Sequence, residues 1–587
     1  GFAVGGYDMT KGYIQNYLEV SGDSERIYID STPDTKKLKG GFAVGGYDMT
    51  KADGLKFLKI TPDSTRILTS DPLKGFGVND LSSGNTMGYL RLTPSNYFIG
   101  HQAGRSLTSG LYNSIIGYQS GYTINTGTSN SFMGYKAGFT NSSGGYNVFI
   151  GNEAGYLNNG SMNTFVGYIS GRSNTTGYYN SFFGDSTGYN NTTGFDNTFI
   201  GARAGYSSTT CGFNTFIGAM AGYKSTAFFN TAVGALALSL NTTGEQNTAC
   251  GSSALCNNTT GWGNTAVGSR ALLVNTTGSG NTALGYHALY SNTTSGTNTA
   301  IGELALELNT TGYGNTATGC ALHDNTTGSL NTATGLYALN KNTTGNYNTA
   351  MGAQALNFST TGNMNTAIGN RALIYNTTGK QNTAAGSSAL YNNTTGIENT
   401  AFGDSALYSN KTGSYNTAIG FNANVSANNL TNSTAIGYNA VVNASNKIVL
   451  GNASATTVGG YGAWTNYSDS RLKENIVYKN DLGLEFINKI RTVSFNYKND
   501  VTKRRRDGLI AQDVQQALME LNLDFSALVI DDDIDQTLNL SYGEFIVPLI
   551  NSAKELYKQN QHMQIQIESQ QQQIDELKAM VEKLVQK

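Results

Sequence analysis

Proline, histidine, cysteine and charge are all scarce in this chain, and each scarcity excludes something. Five prolines among 587 residues leave few places where a backbone donor is missing. The four histidines (His101, His287, His323, His562) and four cysteines (Cys211, Cys250, Cys256, Cys320) fall at no metal-ligand spacing. No glycine-rich phosphate loop follows a strand, so no cofactor is expected. Charged residues make up 13% and the net charge is −2, which offers no field to draw nucleic acid. No apolar run approaches the roughly 18 residues that a bilayer span needs, so no membrane insertion is expected. The chain opens at Gly1 with neither a Met nor a signal-like segment, which reads as a start that was lost or processed. Glycine (72), tyrosine (35) and phenylalanine (24) are plentiful, and so many aromatics do not suit a disordered chain.

What is present is a repeat. Asn-Thr-Ala-x-Gly recurs, as at Asn264 to Gly268 and Asn365 to Gly369, and its closing glycine runs from Gly100 to Gly437. Those 21 glycines are separated by 17 residues in 17 intervals and by 16 in three. A period this regular signifies a solenoid. An Ala-Leu pair then follows, as at Ala271-Leu272 and Ala372-Leu373, and after it Asn-Thr-Thr-Gly (Asn275 to Gly278). That last tetrad is turn chemistry. The spacing predicts two strands of about five residues and two turns per coil, with positive φ at the tetrad glycine, for example Gly345. Stacking at about 4.8 Å per coil would give a rod of roughly 100 Å. The Asn-x-Ser/Thr sequons recur in phase with the turn and read as turn residues before glycosylation sites. Up to Tyr223 the coils carry aromatics, and afterwards Ala and Leu. Phe165, Phe182, Phe199 and Phe216 share one phase, which favours a core position over an outward carbohydrate-binding strip.

Residues 1–94 carry a different repeat. Gly1 to Lys11 returns unchanged at Gly41 to Lys51, and a degraded copy begins at Gly75. A β-rich stalk or adaptor is expected there, and the solenoid over 95–460. Residues 461–467 read as a linker. Beyond it the composition shifts: the final 120 residues hold 34 of the 76 charged side chains. The segment 468–545 reads as an α/β domain. Over 546–587 a heptad seam runs through Ile546, Ala553, Asn560, Ile567, Ile574 and Val581, with Leu549, Leu556, Met563, Gln570, Leu577 and Leu584 at the other core position. This predicts a coiled coil whose side-chain rules lean towards a dimer.

The repeat array resembles the β-roll heads of trimeric autotransporter adhesins, although their units are shorter. The C-terminal segment is similar to the intramolecular chaperone domain of phage tailspikes, endosialidases and other trimeric fibres. Ser468-Asp469-Ser470-Arg471-Leu472-Lys473-Glu474-Asn475-Ile476 fits that family's opening motif, and Gly508 to Val514 and Tyr542 to Leu556 fit its later blocks. The resemblance implies a homotrimer, and a self-cleaving Ser–Lys dyad with Ser468 as nucleophile and Lys473 as general base. The bond cut would be Tyr467–Ser468. A serine and a lysine five apart, without the motif around them, are ordinarily structural. Lysine serves as a base only when desolvation leaves it neutral.

The expected molecule is mainly β: an elongated trimeric β-solenoid fibre with a C-terminal α/β chaperone domain ending in a coiled coil. Its expected role is attachment, as the fibre of a phage tail or contractile injection system located on a virion or extracellular particle. Partners would be a cell-surface glycan or protein receptor and a baseplate or adaptor at the N-terminal end. Catalysis is limited to a single-turnover peptidase. Two alternatives are a fibre-borne polysaccharide depolymerase and an extracellular filament or bacterial adhesin. The sparse acids of the solenoid (Glu153, Asp185, Asp196, Glu303, Glu307) do not recur as a glycosidase pair. Asp531, Asp533 and Asp535 imitate a calcium loop, but Gln536 and Tyr542 replace the required Gly and Glu.

Overall fold

The computed structural model describes residues 89–455, 458–459, 467–498, 503–531 and 535–586, together with the backbone of eight short strands that begin within residues 1–88. The expected linker 461–467 lies, apart from Tyr467, outside the described residues. The chain forms two compact units, residues 1–296 and 297–587.

The first unit opens with three antiparallel meanders, one for each copy of the N-terminal repeat. Their strands are Phe2–Tyr7, Ile14–Ser21 and Ser24–Ile27; Phe42–Gly46, Leu55–Thr61 and Ser64–Ile67; and Phe76–Asp80, Met87–Leu92 and Asn96–Ile99. The same sequence makes the same irregularity: each leading pair carries a bulge, at Val4/Gly5, Val44/Gly45 and Val78/Asn79. In the third meander Asn96–Ile99 also pairs in parallel with Asn113–Ile116. There the antiparallel meander becomes a parallel ladder.

From that point each turn adds one strand of three or four residues, in strict register, as in Phe182↔Phe199 and Ala249↔Ala266. Two strands of about five residues per coil were expected. Before its last two turns the coil has one short strand, because four left-handed residues bend the rest; the expected second strand forms only at the C-terminal end, where Asn424–Val425 pairs with Val441–Val442. In one turn of the second unit these are Tyr347 (φ 58°), Gly352 (131°), Gln354 (60°) and Leu356 (53°). Left-handed backbone costs a bulky residue on the order of 1–2 kcal/mol. Neighbouring coils offset the cost by accepting the N–H groups those residues expose: Gln354 donates to Leu336 O (2.9 Å) and Leu356 to Ala372 O (2.9 Å). The tetrad glycine Gly345 is not among the positive-φ residues, contrary to expectation. Its constraint is close approach: a Cβ there would lie 2.3 Å from Gly362 O and 2.4 Å from Asn342 Oδ1.

The three 16-residue turns drop their residue at a corner and never in the ladder. Asn158-Asn159-Gly160 and Ser225-Thr226-Ala227 stand where a tetrad is usual, and Gly319-Cys320-Ala321 shortens the glycine corner. The strands on either side keep register, as in Phe149↔Phe165, Phe216↔Ala232 and Ala317↔Ala333.

Two ladders of asparagine line the buried corners. Asn348 donates its backbone N–H (2.9 Å) and Nδ2 (3.1 Å) to Asn331 Oδ1, and Nδ2 also to Gly362 O (2.8 Å). In the second ladder Asn393 Nδ2 donates to Asn376 Oδ1 (2.7 Å) and Gly396 O (3.1 Å). These side chains are buried, so the tetrad sequons are interior turn residues. Pairing matters at such positions, since each polar group left unpaired costs about 1–3 kcal/mol; the second ladder is interrupted at Asn141, whose side chain has no partner among the described residues, and at Asn342 Oδ1.

The core changes composition without changing volume. Phe132, Phe149, Phe165, Phe182, Phe199 and Phe216 are fully or almost fully buried and stack with centroids 4.7–5.0 Å apart. Each ring covers a left-handed glycine; a Cβ on Gly155 would lie 2.7 Å from Phe149. At the next coil Phe216 and Gly222 give way to Ala232 and Leu238, and Leu238 keeps the left-handed conformation (φ 52°). Large plus small becomes small plus large, as dense packing demands.

The second unit continues with strands from Thr299–Ile301 to Ile448–Leu450 and then builds an α/β domain. Its helices are α1 (Leu484–Lys489), α2 (Ala511–Leu521) and α3 (Ile546–Val585). Hairpins pair Val493–Phe495 with Arg506–Gly508 and Leu528–Ile530 with Leu538–Leu540. Phe486, Val514, Ala517, Leu518, Phe525, Ala527 and Phe545 form its core.

Candidate functional site

The segment Tyr467 to Lys473 folds back on itself through local hydrogen bonds. Asp469 caps a single 3-10 turn, Ser470–Leu472, by accepting the Arg471 N–H (2.9 Å). Asp469 also binds the Arg471 guanidinium, with Nε 3.1 and 3.0 Å from its two carboxylate oxygens. The Arg471 side chain first, and its backbone N–H second, hold the Asp469 carboxyl below its ordinary pKa. The Lys473 N–H closes the turn on Ser470 O (3.2 Å). This reversal carries the Lys473 side chain back over the serine, and Nζ donates to Ser468 Oγ at 2.8 Å.

The two residues named from the motif are therefore in contact, yet the contact lies in solvent. Residues 467–480 are all exposed, with Tyr467 at 94% and Tyr478 at 97%. The bond also runs from ammonium to hydroxyl, the reverse of what a general base requires. A lysine accepts the serine proton only when removed from water. Among the described residues nothing removes it, and Leu472, Ile476 and Val477 beside it are exposed as well.

The scaffold behind the turn explains the later motif blocks. Glu555 of α3 accepts the Leu484 N–H at the start of α1 (2.9 Å), and a Cβ on Gly483 would collide with that carboxylate. Asn551 Nδ2 donates to Leu482 O (3.2 Å). Tyr542 OH accepts the Leu509 N–H (2.8 Å), and it leaves only a glycine's room at Gly508.

Two further features are visible only in the structure. Lys447, beside the last strand of the solenoid, reaches Asp531 at the tip of the second hairpin (Nζ to Oδ2 2.5 Å). The sequence had offered Asp531 only as a failed calcium ligand, and no local pattern ties it to a lysine 84 positions away. Apolar side chains also line the outside of the ladder: Met351, Ile368, Phe402 and Ile419 occupy one phase and are 43–61% exposed. Within the first unit, Ile99, Met133, Ile150 and Phe183 hold the corresponding strand position and are likewise exposed. The seam of α3 is likewise in solvent, with Leu549, Leu556, Met563, Ile567, Ile574, Leu577 and Leu584 all exposed. Among the described residues no helix is long and apolar enough to cross a membrane.

Residues 468–523 match the family model described as the chaperone of endosialidase. The match opens on Ser468, the serine held by Lys473. No curated protein matches the chain. A β-solenoid followed by a segment similar to this chaperone fits a tail fibre or tailspike with a C-terminal chaperone.

Proposed function

We propose that the chain is one protomer of a homotrimeric attachment fibre, of a phage tail or a contractile injection system. Residues 1–94 serve as its stalk, 95–460 as its shaft or head, 468–545 as its chaperone and 546–587 as its coiled coil. The observation that carries this reading is α3, a 40-residue helix with its whole heptad seam in water. Burying a large apolar side chain is worth about 1.5–3 kcal/mol, and a seam with this period is buried by identical helices in parallel. The exposed column on the ladder supports the same reading, since identical residues at identical phase are what a symmetric assembly brings together. A parallel ladder is slow to form and its edges are prone to mispairing. A terminal domain that sets register before the coils stack answers that difficulty.

The Ser468–Lys473 pair extends the proposal to a single self-cleavage. Ser468 Oγ attacks the Tyr467 carbonyl carbon, the peptide C–N bond breaks, and Lys473 passes the hydroxyl proton to the departing amine of Ser468. Water then hydrolyses the ester, leaving residues 468–587 covalently separate from the rest of the chain. The solvent exposure of the pair gives this chemistry a condition: partner chains must cover Lys473 before it can act as a base. A denaturing gel tests both parts. The full chain should resolve into two fragments, and a chain lacking 560–587, which keeps Asn551 and Glu555, should stay whole because it cannot assemble. Equal cleavage with and without that segment would rule out the assembly requirement, and an uncut full chain would remove the peptidase.

A further inference from the structure

We infer that Lys447 and Asp531 form a noncovalent latch that keeps the C-terminal domain seated on the last coil of the solenoid, whether or not the chain between them is intact. Asp531 is 5% exposed, so its carboxylate has left water and needs a compensating charge. The cation that answers it comes from outside its own domain: Lys447 Nζ, on the solenoid side of the linker. The two ends of the contact are both held by backbone. Lys447 O accepts the Thr434 N–H of the preceding coil (2.9 Å), and Lys447 Nζ also donates to Asn443 Oδ1 (3.0 Å). The Asp531 N–H donates to Thr537 O (2.9 Å), which closes the hairpin beyond Ile530↔Leu538. A fixed carboxylate thus meets a lysine rooted in the terminal coil.

The contact has a consequence for separation. Pulling the domain away would leave a desolvated carboxylate without its lysine, and breaking one side of a buried pair is far costlier than breaking an exposed one. Severing the chain therefore does not by itself release the domain. The latch retains it beside the terminal coil, with Lys447 and Asp531 still paired across the cut.

The test uses the full chain with Ser468→Ala, so that its outcome does not depend on self-cleavage, and with a sequence-specific protease site inserted between Gly459 and Tyr467. After complete cutting, the two fragments should co-elute in size exclusion at low salt. Lys447→Met alters only the solenoid side and should reduce co-elution at least tenfold, and Asp531→Asn should do the same. The exchanged pair Lys447→Asp with Asp531→Lys should restore it. Separation of the unmodified fragments, or co-elution unchanged by Lys447→Met, would overturn the latch.

Discussion

Lys473 and Ser468 are 2.8 Å apart through a turn only six residues long, so the pair depends on few other groups. Ser468→Ala should abolish cleavage by removing the nucleophile. Lys473→Arg should nearly do so, because a guanidinium keeps its proton; fragment yield on a denaturing gel reads both. The Asp469 cap should respond to acid. Its carboxyl is held below the ordinary range by Arg471, so its contribution to the turn is complete above the unfolded pKa, about 4. That contribution is lost as the pH falls through the lower folded value. The Arg471 amide resonance should move in that window, and a shift centred at or above the ordinary carboxylate range would contradict the capped turn. At Gly345 a side chain meets the next coil's backbone. Gly345→Val should therefore cost about 1–3 kcal/mol by overpacking. Solenoid contacts are between neighbours, so hydrogen exchange should rise only in the adjoining coils.

At the scale of the coil, the exchange of Phe-plus-Gly for Ala-plus-Leu makes a sharper prediction. Phe182→Ala should destabilise its coil by about 3–5 kcal/mol. Adding Gly188→Leu should recover part of that loss, because Leu238 already occupies the equivalent left-handed position (φ 52°) beside Ala232. Urea unfolding compares the two variants, and a double variant less stable than Phe182→Ala alone would refute the volume exchange. The period, the phenylalanine core and the chaperone segment over 468–523 were legible in the sequence, since each rests on a repeating or ordered pattern. The single short strand per coil was not. Propensity sets bulky residues such as Leu356 and Tyr347 against positive φ, and only the hydrogen bonds of stacked neighbours reverse that preference. The constraint at Gly345 was misassigned for a related reason: close approach of the next coil and left-handed backbone both select glycine, and only coordinates separate them. The Ser468–Lys473 contact followed from its motif, whereas the Lys447–Asp531 pair is a long-range contact that no local pattern announces.

For the whole molecule, the exposed seam of α3, the exposed ladder column and the uncovered Ser468–Lys473 turn are three surfaces of one chain that a symmetric assembly would bury together. The shaft made without its chaperone, residues 1–467, should therefore aggregate or stack out of register, and a soluble, homogeneous trimer from that fragment would contradict the chaperone's role. The most direct measurement is the mass of the assembled Ser468→Ala chain by sedimentation equilibrium across a range of concentrations. Three copies of the 62.3 kDa chain predict a single species of about 187 kDa that persists on dilution. A monomer or dimer at concentrations where the chain is folded would contradict the trimeric fibre.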